Sequence, residues 1–135
     1  LISSPLLIYR YNRTQGEVCD KLVSSIDISP TIIYLFDLEP TKSFKGHSLL
    51  PLENYPQKGV YGEAIGKTSS HEKETDKPIY FYQEDDLKII YREDDQSWEM
   101  YDLNRDSQEL NNLINTSLKG KEMKKKLMPQ INRWQ

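Results

Sequence analysis

The sequence is poor in cysteine and has few hydrophobic residues. One cysteine, Cys19, occurs in 135 residues, so an internal disulfide framework and an all-cysteine metal site are excluded. Hydrophobic residues make up 36% of the chain, which is below the roughly 45–50% of typical globular domains, although that range also counts glycine. No apolar run approaches the ~18 residues of a membrane-spanning helix. These deficits predict a modest core, no membrane span and some dependence on surface that lies outside the chain.

The charge balance gives no general attraction to polyanions. The formal net charge is −3, so the chain as a whole is not expected to bind nucleic acid or an anionic membrane. Aromatic residues account for 10% of the chain and include nine tyrosines, which argues against disorder. The sequence begins at Leu1 rather than at a methionine, so we expect the natural N-terminus to lie upstream.

The clearest local pattern lies in the second half of the chain. In Leu87–Arg92 and in residues 97–103, apolar side chains recur with the period of a β-strand. The connecting residues 93–96 are all polar, as expected of a hairpin turn. Asp106 and Glu109 then stand three positions apart just before Leu110, Leu113 and Ile114, which is a capping-box pattern. We therefore predict a hairpin that leads directly into a helix.

The first fifty residues have a different pattern. The continuous apolar run PLLIY, residues 5–9, is typical of a strand buried on both faces of a parallel sheet. Asp27 is predicted to cap a short helix that has Pro30 in its first turn, where the missing N–H of proline does no harm.

The remaining C-terminal elements are two strands and a last helix. Val60–Ala64 and residues 78–83 are predicted strands, separated by the polar loop 66–77. Residues 118–134 carry apolar side chains at helical spacing, and Pro129 predicts that this helix kinks or restarts. The side chains predicted to face the sheet are Leu127, Ile131 and Trp134.

Together these elements predict an α+β fold. A small antiparallel sheet of about four strands packs against the C-terminal helix and follows a remnant of a larger α/β domain. We divide the chain into residues 1–50, a strand plus a short helix that end this α/β domain, and residues 51–135, an α+β subdomain. Without the rest of the larger domain, residues 1–50 expose apolar side chains, which favours self-association.

Two stretches of the sequence resemble signatures of the sulfatase family. Residues 27–31 (DISPT) and 46–49 (GHSL) resemble the Asp-x-x-Pro-Thr helix start and the Gly-x-Ser-Leu connection near the end of sulfatase catalytic domains. Residues 98–113 (WEMYDLNRDSQELNNL) resemble the LYDLxxDPxExxNL signature of the C-terminal subdomain, with Ser107 in place of the usual proline. The motifs follow the family's order, and the resemblance covers nearly the whole chain.

The resemblance implies the C-terminal portion of an arylsulfatase-like enzyme of the alkaline-phosphatase superfamily, a sulfuric ester hydrolase. In that family the nucleophile is a formylglycine made from a Cys/Ser-x-Pro/Ala-x-Arg motif, and a calcium ion polarises the sulfate. Cys19 is followed by Asp-Lys-Leu-Val, which lacks the motif. We therefore assign no catalytic and no metal-binding residue, and calcium and formylglycine are implied only for the intact enzyme. The chain is predicted to be inactive alone, and its partners are the remainder of the catalytic domain and a sulfate-ester substrate.

Two groups of residues remain candidates for ligand contact. His71, in the polar loop 66–77, is a candidate for contact with substrate at the mouth of the active site, although a solvated loop histidine is the simpler interpretation. The lysine-rich run at residues 119–126 is a candidate anion patch, although a solvated helix face also explains it. The lysines of this patch are Lys119, Lys121, Lys124, Lys125 and Lys126.

Two alternatives to a sulfatase stay open on the sequence. The chain could be a non-catalytic interaction module that binds another chain through its N-terminal apolar segments. It could also belong to a phosphate or phosphonate ester hydrolase of the same superfamily, because this region does not fix the ester. Sequence upstream of Leu1 discriminates between these hypotheses, since a Cys-x-Pro-x-Arg run there supports a sulfatase.

Overall fold

A four-stranded antiparallel sheet forms the C-terminal half of the structure, a computed structural model. Its strands follow one another in space as they do in the chain: β1 (Val60–Ala64), β2 (Ile79–Glu84), β3 (Leu87–Arg92) and β4 (Ser97–Asp102). The helices are α1 (Ile28–Leu35) and α2 (Gly120–Ile131), with single 3-10 turns at Ser25–Asp27 and Leu52–Asn54. The described residues are 5–9, 11, 16–56, 59–64 and 77–133. The predicted α+β class and sheet are confirmed.

The predicted hairpin is formed by β3 and β4. Ile89 lies opposite Met100, and Tyr91 lies opposite Trp98, so these four side chains share one face of the sheet. The connecting residues 93–96 form the turn, as the polar sequence indicated.

One face of the sheet packs against α2 and forms the core. Ile89, Met100 and Leu127 are fully buried, and Met123 and Ile131 are 2–3% exposed. The inward positions predicted for Leu127 and Ile131 are thus confirmed, whereas Trp134 lies outside the described residues. The helix continues through Pro129 to Ile131, so it does not restart there. Within the ranges that the structure describes, no helix has the length and hydrophobicity that crossing a bilayer requires.

The helix predicted to begin at Asp106 is not formed, and α2 starts only at Gly120. The Asp106 carboxylate accepts hydrogen bonds from the backbone N–H groups of Leu110 and Asn111, at 3.0 and 2.7 Å. Glu109 adopts a φ of 58°, a left-handed conformation that a right-handed helix cannot contain. The capping-box interpretation was therefore wrong, because both acidic side chains stabilise a loop.

Residues 5–9, predicted to form a strand at the end of a larger α/β domain, form no strand among the described residues, and that strand stays a prediction for the longer protein. The described sheet consists of β1 to β4 alone. A strand needs a neighbour for its backbone hydrogen bonds, and no described segment pairs with this run. The short helix predicted to follow is confirmed as α1, whereas the predicted domain boundary at residue 50 stays a prediction.

Candidate functional site

A buried carboxylate, Asp27, joins α1 to the segment that precedes the sheet. Asp27 is the N-cap residue of α1, as predicted, but its side chain is 0% exposed and makes no capping hydrogen bond to that helix. Asp27 Oδ2 instead accepts hydrogen bonds from the Ser24 N–H at 3.0 Å and the Tyr55 hydroxyl at 2.7 Å. Asp27 Oδ1 accepts one from the His47 N–H at 2.8 Å. These bonds fix residues 24, 47 and 55 around one charge.

The DISPT and GHSL stretches meet at this carboxylate. A Cβ at Gly46 would overlap the carbonyl oxygen of Ile26 and lie 2.8 Å from Asp27 Oδ1, so only glycine fits there. The Thr31 hydroxyl donates to the Asp27 carbonyl at 2.6 Å and accepts the Leu49 N–H at 2.9 Å. Hydrogen bonds between the two motifs therefore hold residues 46–49 against the start of α1.

Sequence reasoning missed Tyr55 and Lys21, because neither belongs to a motif. Burial and the hydrogen bond to Asp27 raise the pKa of Tyr55, so its hydroxyl stays a neutral donor. Lys21 Nζ donates to the carbonyl oxygens of Leu52 and Tyr55, both at 3.0 Å. These contacts tie residues 21–31 to residues 46–55, so this site is structural in character.

Residues 5–9 and the outer side of α1 form an exposed apolar surface, which we call the N-terminal apolar surface. Leu7 is 90% exposed and Ile32 is 47% exposed. A cleft of about 290 Å³ lies in this surface. Its lining residues are Leu6, Leu7, Ile8, Tyr9, Ile28, Thr31, Ile32, Leu35 and Leu49. The exposure of apolar side chains predicted for residues 1–50 is seen at Leu6, Leu7, Ile8 and Ile32, while Ile33 is half-buried.

Two of the five candidate lysines interact with Glu84: Lys126 of α2 and Lys119, which directly precedes this helix. Lys126 Nζ pairs with Glu84 Oε2, and it also lies 3.2 Å from Glu122 Oε1. These pairs raise the pKa of Lys126, and the Lys126 hydrogen bond lowers the pKa of Glu84. Lys119 also lowers the pKa of Glu84 through its charge. The charge of Lys126 is thus balanced by the neighbouring carboxylates of Glu84 and Glu122.

The other three lysines lie elsewhere on α2. Lys124 Nζ stands 4.8 Å from the ring centroid of Trp98, while Lys121 and Lys125 are exposed. The structure therefore divides the run of five lysines into two sets. His71, the candidate for substrate contact, lies outside the described residues.

A model of the family described as "N-sulphoglucosamine sulphohydrolase, C-terminal" matches residues 2–135. The chain belongs to this sulfatase family. No curated protein matches it.

Solved sulfatase structures share this fold. The structure of BT4656 in complex with its substrate D-glucosamine-2-N,6-O-disulfate is 29% identical, with a TM-score of 0.57 over 81% of this chain and 23% of that chain. The 2-O GAG sulfatase BT1596 is 20% identical and similar in fold, with a TM-score of 0.60 over 80% of this chain and 23% of that chain. This chain therefore spans less than a quarter of the length of these sulfatases.

The described residues of this sulfatase region do not fit the calcium and formylglycine that the resemblance implies for the intact enzyme. Among them, no group of three or more His, Cys, Asp or Glu side chains could hold a metal ion. Cys19 is an exposed free thiol, and the residues after it do not form the formylglycine motif. We therefore derive no catalytic step through either group in this chain.

Proposed function

We propose that this chain is the C-terminal part of a longer sulfatase that hydrolyses sulfuric esters. The observation that carries the proposal is the family match over residues 2–135. It favours a sulfatase over the two alternatives, an unrelated interaction module and a phosphate ester hydrolase. The nucleophile and the metal ligands would come from the upstream catalytic domain, where calcium supplies electrostatic stabilisation of the sulfate when it is bound.

We further propose that the substrate is a sulfated glucosamine-containing saccharide. The matched family is described by the hydrolysis of N-sulphoglucosamine, and BT4656 is solved with a disulfated glucosamine as its substrate. The polar loop at residues 66–77, which includes His71, is proposed to approach this substrate in the intact enzyme.

The N-terminal apolar surface is proposed to dock onto the upstream catalytic domain. Removing apolar surface from water contributes roughly 25 cal/mol per Å², so Leu7 and Ile32 would each contribute by becoming covered. Residues 5–9 would gain strand neighbours there, which the described residues of this chain do not provide. Under this proposal residues 1–50 complete the catalytic domain, and residues 51–135 form the C-terminal subdomain.

The test compares variants of the intact protein in a sulfate-release assay on D-glucosamine-2-N,6-O-disulfate. Leu7→Asp is expected to abolish soluble, active enzyme, because it places a charge in the proposed interface. Leu118→Asp is the matched control, since Leu118 is 99% exposed, as Leu7 is 90% exposed, but it lies outside the N-terminal apolar surface. Equal activity of the two variants would contradict the docking proposal, and no sulfate release by the unmodified protein would contradict the sulfatase proposal.

A further inference from the structure

Three lysines on one side of α2 have no acidic partner among the described residues. Successive residues of an α-helix are about 100° apart around its axis, so Lys121, Lys124 and Lys125 fall within an arc of about 100°. In the part of the chain that the structure describes, none of the three forms an ion pair with a carboxylate. We call these three residues the lysine face. Glu122, the one acidic residue of α2, instead pairs with Lys126.

A pocket of about 300 Å³ adjoins the lysine face. It lies between α2 and the hairpin, and its lining residues are Tyr91, Gln96, Trp98, Met128, Ile131 and Asn132. Lys124 links the two features, because its Nζ lies over the Trp98 ring. Tyr91 packs against Trp98 with the ring centroids 4.7 Å apart, so the aromatic wall is held in place.

The chemistry of this region matches a sulfated sugar. The apolar face of a sugar ring can pack on aromatic and aliphatic side chains, while amide groups such as those of Gln96 and Asn132 hydrogen-bond to hydroxyls. Ammonium groups pair with sulfate oxygens through charge-assisted hydrogen bonds. The carboxylates of Asp94 and Asp95 lie in the turn beside Gln96, so sulfate groups are expected on the α2 side of the pocket.

We propose that the lysine face and the adjoining Trp98 pocket bind a sulfated saccharide chain. The lysines pair with its sulfate groups, and the pocket takes one sugar ring. The saccharide class rests on the proposed function, whereas the site itself rests on two observations: the three lysines share one arc of α2, and Lys124 lies over the Trp98 ring that lines the pocket. The charge of Lys126 is balanced by Glu84 and Glu122, so this lysine is not part of the site.

The test is calorimetric titration of the 135-residue chain with a heparin-derived hexasaccharide at low ionic strength. A triple variant, K121Q/K124Q/K125Q, is compared with K42Q/K45Q/K119Q, which removes the same number of charges from other positions. Each exposed ion pair contributes modestly, so the first triple is expected to raise the Kd about tenfold and the second less than about twofold. Circular dichroism checks that both variants remain folded.

Two further binding measurements test whether the site recognises a sugar ring and whether the pocket takes part. Polyglutamate of equal charge is expected to bind at least about tenfold more weakly than the hexasaccharide if the pocket reads a sugar ring. Asn132→Ala is expected to weaken binding of the hexasaccharide but not that of polyglutamate. Equal losses in the two triple variants, equal affinity for the two polymers, or no binding would overturn the proposal. The assay measures binding and not turnover, so its result is independent of whether the intact protein releases sulfate.

Discussion

The Tyr55 hydroxyl donates a 2.7 Å hydrogen bond to the carboxylate of Asp27, and both side chains are buried. The two residues are 28 positions apart in the chain. Since the Ser24 and His47 N–H groups bond to the same carboxylate, one charge organises three backbone segments. This arrangement explains why α1 is held against the residues that precede the sheet.

Asp27→Ala should be more destabilising than Tyr55→Phe. The alanine variant leaves three donors without their acceptor, namely the buried Tyr55 hydroxyl and the partly buried N–H groups of Ser24 and His47, whereas Tyr55→Phe removes a single donor. A buried donor left unpaired costs roughly 1–3 kcal/mol. We expect a loss of about 1 kcal/mol for Tyr55→Phe and at least about twice that for Asp27→Ala. Urea denaturation of the two variants measures both values, and equal losses would contradict the central role of the carboxylate.

The pair formed by Lys88 and Glu109 should be the ion pair on which stability depends most. Lys88 Nζ lies 2.7 Å from Glu109 Oε1, and the two side chains are only 7% and 18% exposed. Glu109→Gln leaves the buried ammonium without its counter-charge, so we expect a loss of about 3 kcal/mol in the free energy of unfolding.

An exposed pair provides the control for this prediction. Arg105 lies 3.7 Å from Asp102 and is 86% exposed, so Arg105→Gln should change stability by less than about 0.5 kcal/mol. The double variant Lys88→Met/Glu109→Gln should recover part of the loss, because no buried charge remains. A loss for Arg105→Gln as large as that for Glu109→Gln would show that burial of the pair does not matter.

Stability should fall at high pH because of buried tyrosines. Burial, together with Glu84, raises the pKa of Tyr82 from 10.0 to about 12. Between these two values an unfolded tyrosine loses its proton while the folded one keeps it, so the contribution is complete below pH 10 and is lost as the pH rises towards 12. Tyr82→Phe should therefore flatten the decline in urea midpoint above pH 10, whereas Tyr9→Phe, at an 81% exposed position, should not.

Hydrogen exchange should separate the two parts of the chain. The amides of β2, β3 and β4 lie in a paired sheet covered by α2. The described part of residues 5–50 has one α-helix, of eight residues and with a largely exposed surface, and one 3-10 turn. In the isolated chain we expect faster exchange in residues 5–50 than in residues 79–131, because few buried contacts oppose local opening. Equal protection across both parts would contradict the proposal that residues 1–50 complete another domain.

Local patterns predicted the elements that are stabilised by nearby residues. The hairpin of β3 and β4 follows from alternation plus a polar turn, and α2 follows from the spacing of Met123, Leu127 and Ile131. The Asp106–Glu109 pattern failed because Glu109 pairs with Lys88, 21 residues away. A capping box needs hydrogen bonds between residues close in the chain, and here the Glu109 carboxylate instead pairs with the distant Lys88.

Long-range contacts also limited how much of the site could be predicted from the sequence. The sequence indicated Asp27 as a helix cap, but its hydrogen-bond partners at 47 and 55 depend on how the chain folds back. The run at residues 5–9 has the composition of a buried strand, and the neighbours it needs are not among the described residues. The division of the five lysines into two sets likewise required the position of Glu84 beside α2.

The measurement that tests the central claim most directly is sulfate release, followed by ion chromatography, from D-glucosamine-2-N,6-O-disulfate. The 135-residue chain and the intact protein are assayed side by side. We expect release by the intact protein and none by the chain above a buffer blank, because the described residues contain neither a metal site nor the formylglycine motif. Sulfate release by the chain alone, or none by the intact protein, would contradict the account.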